Sequence, residues 1–360
     1  MKLMAKLRIK DSSDDHIDYS NVQVSNSQSK GETTNSFEKE HPDKLYLECT
    51  KYIKQNGVWS RNIVIEWSLI SVPLILFASA GLLLNYFSMP ILATIVLSIC
   101  HTLTGWKSHD ICHEPWRRDS WLRTVYSAMM GGFSSNWWSK KHNAYHHCYP
   151  NMIDVDEDFE TSPILMHTTS DKWFHKFQHI YHWVPFSFLK LSWRIQSIPF
   201  ASVAELVCFI AHYYIGIYVF GAKLFFISIL IDGEIAAMIT TLNHDAEVKT
   251  ISPGNFLQQT LRTTIDIDVP WGIGWIFGNM QYQTLHHLFP YIPSYRYESL
   301  VPVIKKFCQN NGLQYRTVSM WDAYKNHKKY YYDVVRKPVI GSILQESCYE
   351  NNIIRNKKIL

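Results

Sequence analysis

Histidine spacing is the part of this sequence that carries chemistry. Ten of the 17 histidines fall between His101 and His182, and eight of the full set form a pattern. His109 and His113 stand four residues apart, which puts both imidazoles on one face of a helix. His142 and His146 repeat that step, and His147 adds a ring turned about 100° around the helix axis. Gln283 precedes the pair His286 and His287 by three and four residues, and His244 sits between Asn243 and Asp245. Neutral imidazole is the commonest metal ligand and suits iron, zinc and copper. Eight rings and one amide brought to one surface imply a metal, and more naturally two ions with about four nitrogen ligands each.

A single histidine pair at helical spacing is more often structure than ligand; the recurrence of clusters is what argues for a site. His101, His167, His175, His179, His182 and His212 join no cluster and read as structural. Cys112 and Cys148 abut ligand positions, but read as small buried thiols rather than thiolate ligands. Ligating histidines donate their second ring N–H to a carboxylate or carbonyl. Asp110, Glu114, Asp154, Asp156, Asp158, Asp245, Asp266 and Asp268 lie within reach along the chain. Asp110 and Asp245, each adjacent to a ligand histidine, are the foremost of these.

The elements that position the clusters are apolar. Trp67 to Phe87 runs without a charge, about the length a helix needs to cross a hydrocarbon core of about 30 Å. Met89 to Trp106 follows after a tight connection, so the two read as a transmembrane hairpin. Residues 197–220 and 222–243 read as a second hairpin turning at Gly221, with a re-entrant segment as the alternative. Glu205, Asp232 and Glu234 lie in that stretch and must face other helices, water or a cavity. Basic residues flank the outer ends of the spans, and the connecting turns hold only Lys223, so the turns face away from the cytosol. Both termini and the His-rich stretch are then cytosolic. The aromatic-rich segment from Trp173 to Trp193 suits helices lying at the membrane interface. The fold class expected is an all-α integral membrane protein, four spans in two hairpins under a cytosolic helical cap that holds a dimetal site.

The division expected is a polar tail over 1–55, a catalytic domain over 56–335 and a tail over 336–360. The last ends Lys357-Lys358-Ile359-Leu360, a match to the dilysine retrieval signal of the endoplasmic reticulum. The first forty residues hold no hydrophobic centre like that of a signal peptide. With 35 basic against 31 acidic side chains, the net charge of +4 is too even and dispersed for nucleic-acid binding. Seven cysteines without a CxxC pair argue against a secreted disulfide framework.

The motifs H-x3-H, H-x3-HH and Q-x2-HH around two apolar hairpins closely resemble those of the membrane fatty-acid desaturases, over about Trp67 to Pro293. The stretches Gly105 to Asp110, Trp137 to Asn143 and Gln281 to Pro290 are most similar to the front-end acyl and sphingolipid desaturases, a branch marked by Gln283 in place of histidine. The resemblance implies a di-iron site that uses O₂ and two electrons to place a cis double bond in a long acyl chain. It implies His109, His113, His142, His146, His147, His244, His286 and His287 as ligands, with Gln283 acting through water, on the metal or on the substrate. Many front-end relatives carry a fused cytochrome b5 domain with a His-Pro-Gly-Gly motif. Here only His41-Pro42-Asp43-Lys44 corresponds, so a separate donor, cytochrome b5 with its reductase, is expected. Arg117, Arg118, Lys140 and Lys141 offer it a basic face, or else meet anionic lipid headgroups.

Three rival functions fit some of these residues. A lipid hydroxylase shares every ligand. A zinc-dependent membrane hydrolase uses the same histidines as two tetrahedral sets. A lipid-binding scaffold needs none of them. Acyl-CoA, phospholipid-bound acyl chains and ceramide all remain as substrates.

Overall fold

A computed structural model describes residues 43–114 and 120–336, apart from 154, 160, 162, 168 and 251–254. The N-terminal residues up to 42, Arg117, Arg118, Asp154 and the dilysine ending lie outside the described residues. Helix α1 (Lys44–Asn56) comes from the stretch expected to be polar tail. Its amphipathic spacing buries Cys49 and Ile53 in the main core, so the folded region begins before residue 56.

Helix α2 (Ile63–Asn85) starts four residues earlier than expected, because the Asn62 side chain accepts hydrogen bonds from the amides of Val64 and Ile65. At 23 residues it is about 34 Å long. Much of its surface is bare hydrocarbon: Val64, Ile75 and Leu82 are each at least 60% exposed. Helix α3 (Pro90–Cys112) opens on a proline at its first turn and runs back along α2. It continues six residues past the expected end, which carries His109 on its last turn.

Short helices follow: α4 (Trp121–Val125), α5 (Ser135–Trp138), α6 (Gln178–Tyr181), α7 (Trp183–Ser187) and α8 (Leu189–Ser197). Along 173–198 the side chains of Trp173, Phe177, Ile180, Val184, Phe188 and Ile195 form an exposed apolar stripe, each at least 50% exposed. That stripe agrees with a segment lying on a membrane surface.

Helix α9 (Val203–His244) contains the second hairpin. Gly221 has φ 70° and ψ 151°, and the chain reverses there. The rings of Tyr213 and Phe225 lie 5.8 Å apart, whereas twelve residues of continuous helix would separate them by about 18 Å. The first arm begins at Val203 rather than 197, because Ile198–Phe200 forms a separate tight turn and Ser202 with Glu205 makes a capping box. Glu205 is buried and accepts from the backbone and hydroxyl of Ser135 and the hydroxyl of Ser134, so this acid does face protein rather than lipid. Glu234 accepts from Ser187.

The two hairpins point the same way. Asn85, at the end of α2, donates to the carbonyl of Val219, just before the reversal. At the opposite end Arg61, before α2, reaches Glu114, just after α3, at 2.8 Å. His109 and His244 both emerge at that second end. Two helices, Ile63–Asn85 and Val203–His244, are long and apolar enough to cross a membrane. Helix α3 is more polar, with Ser98, His101, Thr102 and Thr104 buried.

The cap is completed by α10 (Phe256–Thr263), α11 (Gln283–Leu288), α12 (Tyr297–Asn310) and α13 (Met320–Asp333). It is not wholly helical: β1 (Asp266–Asp268) pairs in parallel with β2 (Thr317–Ser319). Three residues per strand give too short an apolar alternation to be read from sequence.

Lys107 lies in the last two turns of α3, 5% exposed, and bonds Glu66 of α2 at 2.6 Å. Glu66→Ala leaves that ammonium buried and uncompensated, at a cost of about 3–5 kcal/mol. The melting temperature of the purified chain is expected to fall, and the double variant Glu66→Met with Lys107→Met to recover most of the loss.

Candidate metal centre

All eight predicted imidazoles are buried and meet at one place, in two adjoining groups. His109, His113, His142, His147 and His286 form the first, and His146, His244 and His287 the second. Within each group the ligand nitrogens lie within 4.8 Å of one another. The division is five and three, not four and four. His147 and His287 stack at 4.4 Å across the boundary between the groups.

The cause of this division is local. From Ser139 to His146 the backbone follows wider i→i+5 turns, and the amide of His147 donates to the carbonyl of His142. His142 and His147 are therefore one wide turn apart and share the first group, while His146 turns to the second. An α-helical reading of the same residues assigns them differently.

The rings face one another through Nε2. His109 Nε2 lies 3.0 Å from that of His142 and 3.2 Å from that of His113, and His147 Nε2 lies 3.1 Å from His142 Nε2. In the second group His287 Nε2 lies 3.1 Å from His244 Nε2. Three of the Nδ1 sides are tethered outward. His142 Nδ1 donates to Asp158 at 3.0 Å, His146 Nδ1 to Asp156 at 3.0 Å, and His244 Nδ1 to the Thr263 carbonyl at 3.3 Å. Each tether takes the one proton of a neutral ring and leaves a bare lone pair pointing inward.

Lone pairs do not hold one another. His142 Nε2 faces two other nitrogens, and His286 Nε2 is buried with no hydrogen-bond partner among the described residues. Nitrogens about 2.1 Å from one ion and at right angles around it stand about 3 Å apart, which is the spacing found here. The donor set therefore fits metal ions. Burial and the neighbouring imidazoles hold the rings of His113, His142, His147, His286 and His287 well below the usual histidine range, so they stay neutral. His146 is shifted the other way, because Asp156 and Asp158 outweigh its burial.

Gln283 joins the smaller group: its amide is 2.9 Å from His244 Nε2, and Asn243 Nδ2 lies 3.5 Å from its oxygen. With it, the second group has four polar side chains.

The carboxylates contacting the rings are Asp156 and Asp158. Asp110 is 3.6 Å from His109 Nδ1 but accepts from Ser294 at 2.8 Å. Asp245 accepts from Tyr331 at 2.8 Å and bonds no ligand ring; burial raises it to about 6. Asp266 accepts from the Thr284 amide and so caps the helix bearing His286 and His287, while Glu114 pairs with Arg61. Tyr297, 3.3 Å from His286 Nδ1, and the Thr263 carbonyl were not found by sequence reasoning. Only the DxDxD spacing of 154–158 signals the two aspartates.

Two of the unclustered histidines take structural contacts. His175 sits between Ser170 and the Pro163 carbonyl, and His167 between Thr161 and Tyr330. Cys112 is buried beside Ser127, whereas Cys148 is exposed. The expected basic face loses a member, because Lys141 is turned inward and bonded to Asp158 at 2.8 Å.

A family model, fatty acid desaturase, matches residues 84–319. The chain is 25% identical over 283 residues to a Delta(6)-fatty-acid desaturase of Caenorhabditis elegans, covering 67% of this chain and 64% of that protein. It is 28% identical over 260 residues to an acyl-lipid (9-3)-desaturase of Physcomitrium patens, covering 62% and 49%. It is 26% identical over 272 residues to a Delta(5) fatty acid desaturase of C. elegans, covering 64% and 61%. The chain thus spans about half to two thirds of the length of these relatives. It belongs to the fatty acid desaturase family.

Asp156→Asn removes the acceptor that orients His146, and metal affinity is expected to fall by about 10–100-fold. Asp245→Asn, which touches no ligand ring, is expected to change it far less. Chelator competition with the purified chain measures both.

Proposed function

We propose that this chain is a membrane-embedded oxidoreductase that introduces a cis double bond into a long-chain acyl lipid, using O₂ and two electrons at a pair of irons. The observation that carries the reading is the convergence of eight imidazoles, Nε2 inward, in two adjoining groups within a fatty acid desaturase family chain. His109, His113, His142, His147 and His286 would hold one ion; His146, His244 and His287, with Gln283, the other. An unactivated methylene has no acidic proton and no leaving group, so acid–base side chains alone cannot oxidise it, and the bound metals would supply the oxidising power with O₂.

The chain's own residues supply position. Asp156, Asp158 and the Thr263 carbonyl fix ring tautomers and orientations. Trp138, 4.4 Å from the His142 ring, and Trp106, 6.3 Å from His109, wall the ligands off from water. In this reading α2, α3 and the two arms of α9 are four membrane spans with their turns away from the cytosol. Both termini are then cytosolic, and the endoplasmic reticulum is the membrane this reading proposes. The acyl chain lies among the spans, residues 56–335 with α1 form the catalytic domain, and electrons come from a separate carrier of the cytochrome b5 type. Sphingolipid desaturation or hydroxylation would use the same site.

Expression in yeast is expected to create new unsaturated lipid that mass spectrometry locates to one bond position and that vanishes in His146→Ala. The purified chain is expected to hold iron. Zinc without iron, with activity in the absence of O₂, would replace this reading with the hydrolase.

A further inference from the structure

Five ionisable side chains that the metal centre does not use meet between α3, α8 and α9. Asp232 is 2% exposed, Lys190 3%, His101 4% and Arg194 5%. The ring of His212, on the first arm of α9, lies 5.7 Å from that of His101. Charges at such depth are costly unless they are satisfied. Lys190 and Arg194 act on Asp232 through space, and no ion pair joins them to it among the described residues.

Among the described residues four buried polar atoms here lack a hydrogen-bond partner: Asp232 Oδ1, His101 Nε2, His212 Nε2 and Arg194 Nε. The neighbouring groups are already committed. Ser228 gives its proton to the Phe225 carbonyl at 2.7 Å, so it accepts from His101 Nδ1 at 3.3 Å. That leaves His101 Nε2 a bare acceptor. Arg194 donates through Nη1 to Tyr213 at 3.2 Å. Lys190 lies over the rings of Trp193 and Trp106, at 4.9 and 5.6 Å. Gly105 leaves room for it, since a Cβ there would fall 2.6 Å from Nζ.

The cluster therefore offers two unsatisfied acceptors, Asp232 Oδ1 and His101 Nε2, opposite two cationic donors. A simple anion would suit the cations and face the acceptors without a proton to give. A hydroxyl both donates and accepts at one oxygen, and so answers both sides. The cluster also adjoins the metal centre: Trp106 lies 6.3 Å from His109, and Trp193 contacts Trp138, the neighbour of His142. His101 is eight residues before His109 on α3, about 12 Å along the axis.

We infer that His101, Asp232, Lys190, Arg194 and His212 form a subsite for a hydroxyl oxygen carried on the lipid's long chain, several carbons from the reacting pair. The inference rests on the desaturase reading for the substrate's place in the molecule. It narrows that substrate to hydroxyl-bearing chains, and ordered water is the other source of the same chemistry.

The purified full-length chain in nanodiscs, titrated with octadecanoic acid and its positional monohydroxy isomers against a radiolabelled parent acid, separates the two sources. At least one isomer is expected to bind about fivefold or more tightly than the parent, the scale of one buried hydrogen bond. Asp232→Asn and His101→Leu are each expected to erase that gap and leave the parent acid's affinity unchanged. Should one variant fail to melt cooperatively, the other decides. Equal affinity for every isomer and the parent, or a preference that survives substitution, overturns the inference and leaves water as the occupant. Binding is read without turnover, so failure of the desaturase reading shows separately, as unchanged yeast lipids.

Discussion

Eight imidazoles buried together, most of them with Nε2 turned toward a neighbouring ring, are the arrangement on which the rest of this molecule depends. Each lone pair loses its water on folding, and the ring beside it offers no proton in return. A cation between them resolves the conflict. The outward tethers from Asp156, Asp158 and the Thr263 carbonyl hold the protons of His146, His142 and His244 on Nδ1, away from the other rings. Burial supports the same end by keeping most of the rings neutral and their lone pairs free.

Delivering these rings to one place requires both hairpins to end at the same level. The Asn85–Val219 bond holds the two turns together at one end, and the Arg61, Glu66, Lys107 and Glu114 cluster ties α2 to α3 at the other. Gly221 makes the reversal in α9 possible, since its positive φ is costly for any residue with a Cβ. Phe225 then packs against Gly216 across the hairpin, where a side chain would hold the arms apart. Exposed hydrocarbon on α2 and along 173–198 faces outward from this frame and needs a lipid environment.

Polar residues inside the bundle serve two different ends. Glu205 is fully engaged by Ser134, Ser135 and Ser202, and so is structural. Asp232 and His101 keep an unsatisfied atom each, an imbalance that a bound oxygen relieves. The helical hairpins thus hold both satisfied and unsatisfied polar groups, distinguished by their hydrogen bonds rather than by residue type.

The amino-acid sequence alone marked the eight histidines that meet, the two hairpins and the reversal at Gly221, because runs of apolar residues and four-residue histidine steps are local patterns. It also marked Gln283, whose amide does lie beside His244. Tertiary structure alone decided how the rings divide into five and three, since that follows from wide turns over Ser139–His146 that no periodicity announces. It decided as well which carboxylates bond the rings: Asp245, next to His244 in sequence, turns to Tyr331, while Asp110 keeps one oxygen 3.6 Å from His109 Nδ1 and accepts from Ser294 with the other. A residue next to a helical ligand points about 100° away from it, so the partner of a buried ring must come from another segment, and only folding chooses which.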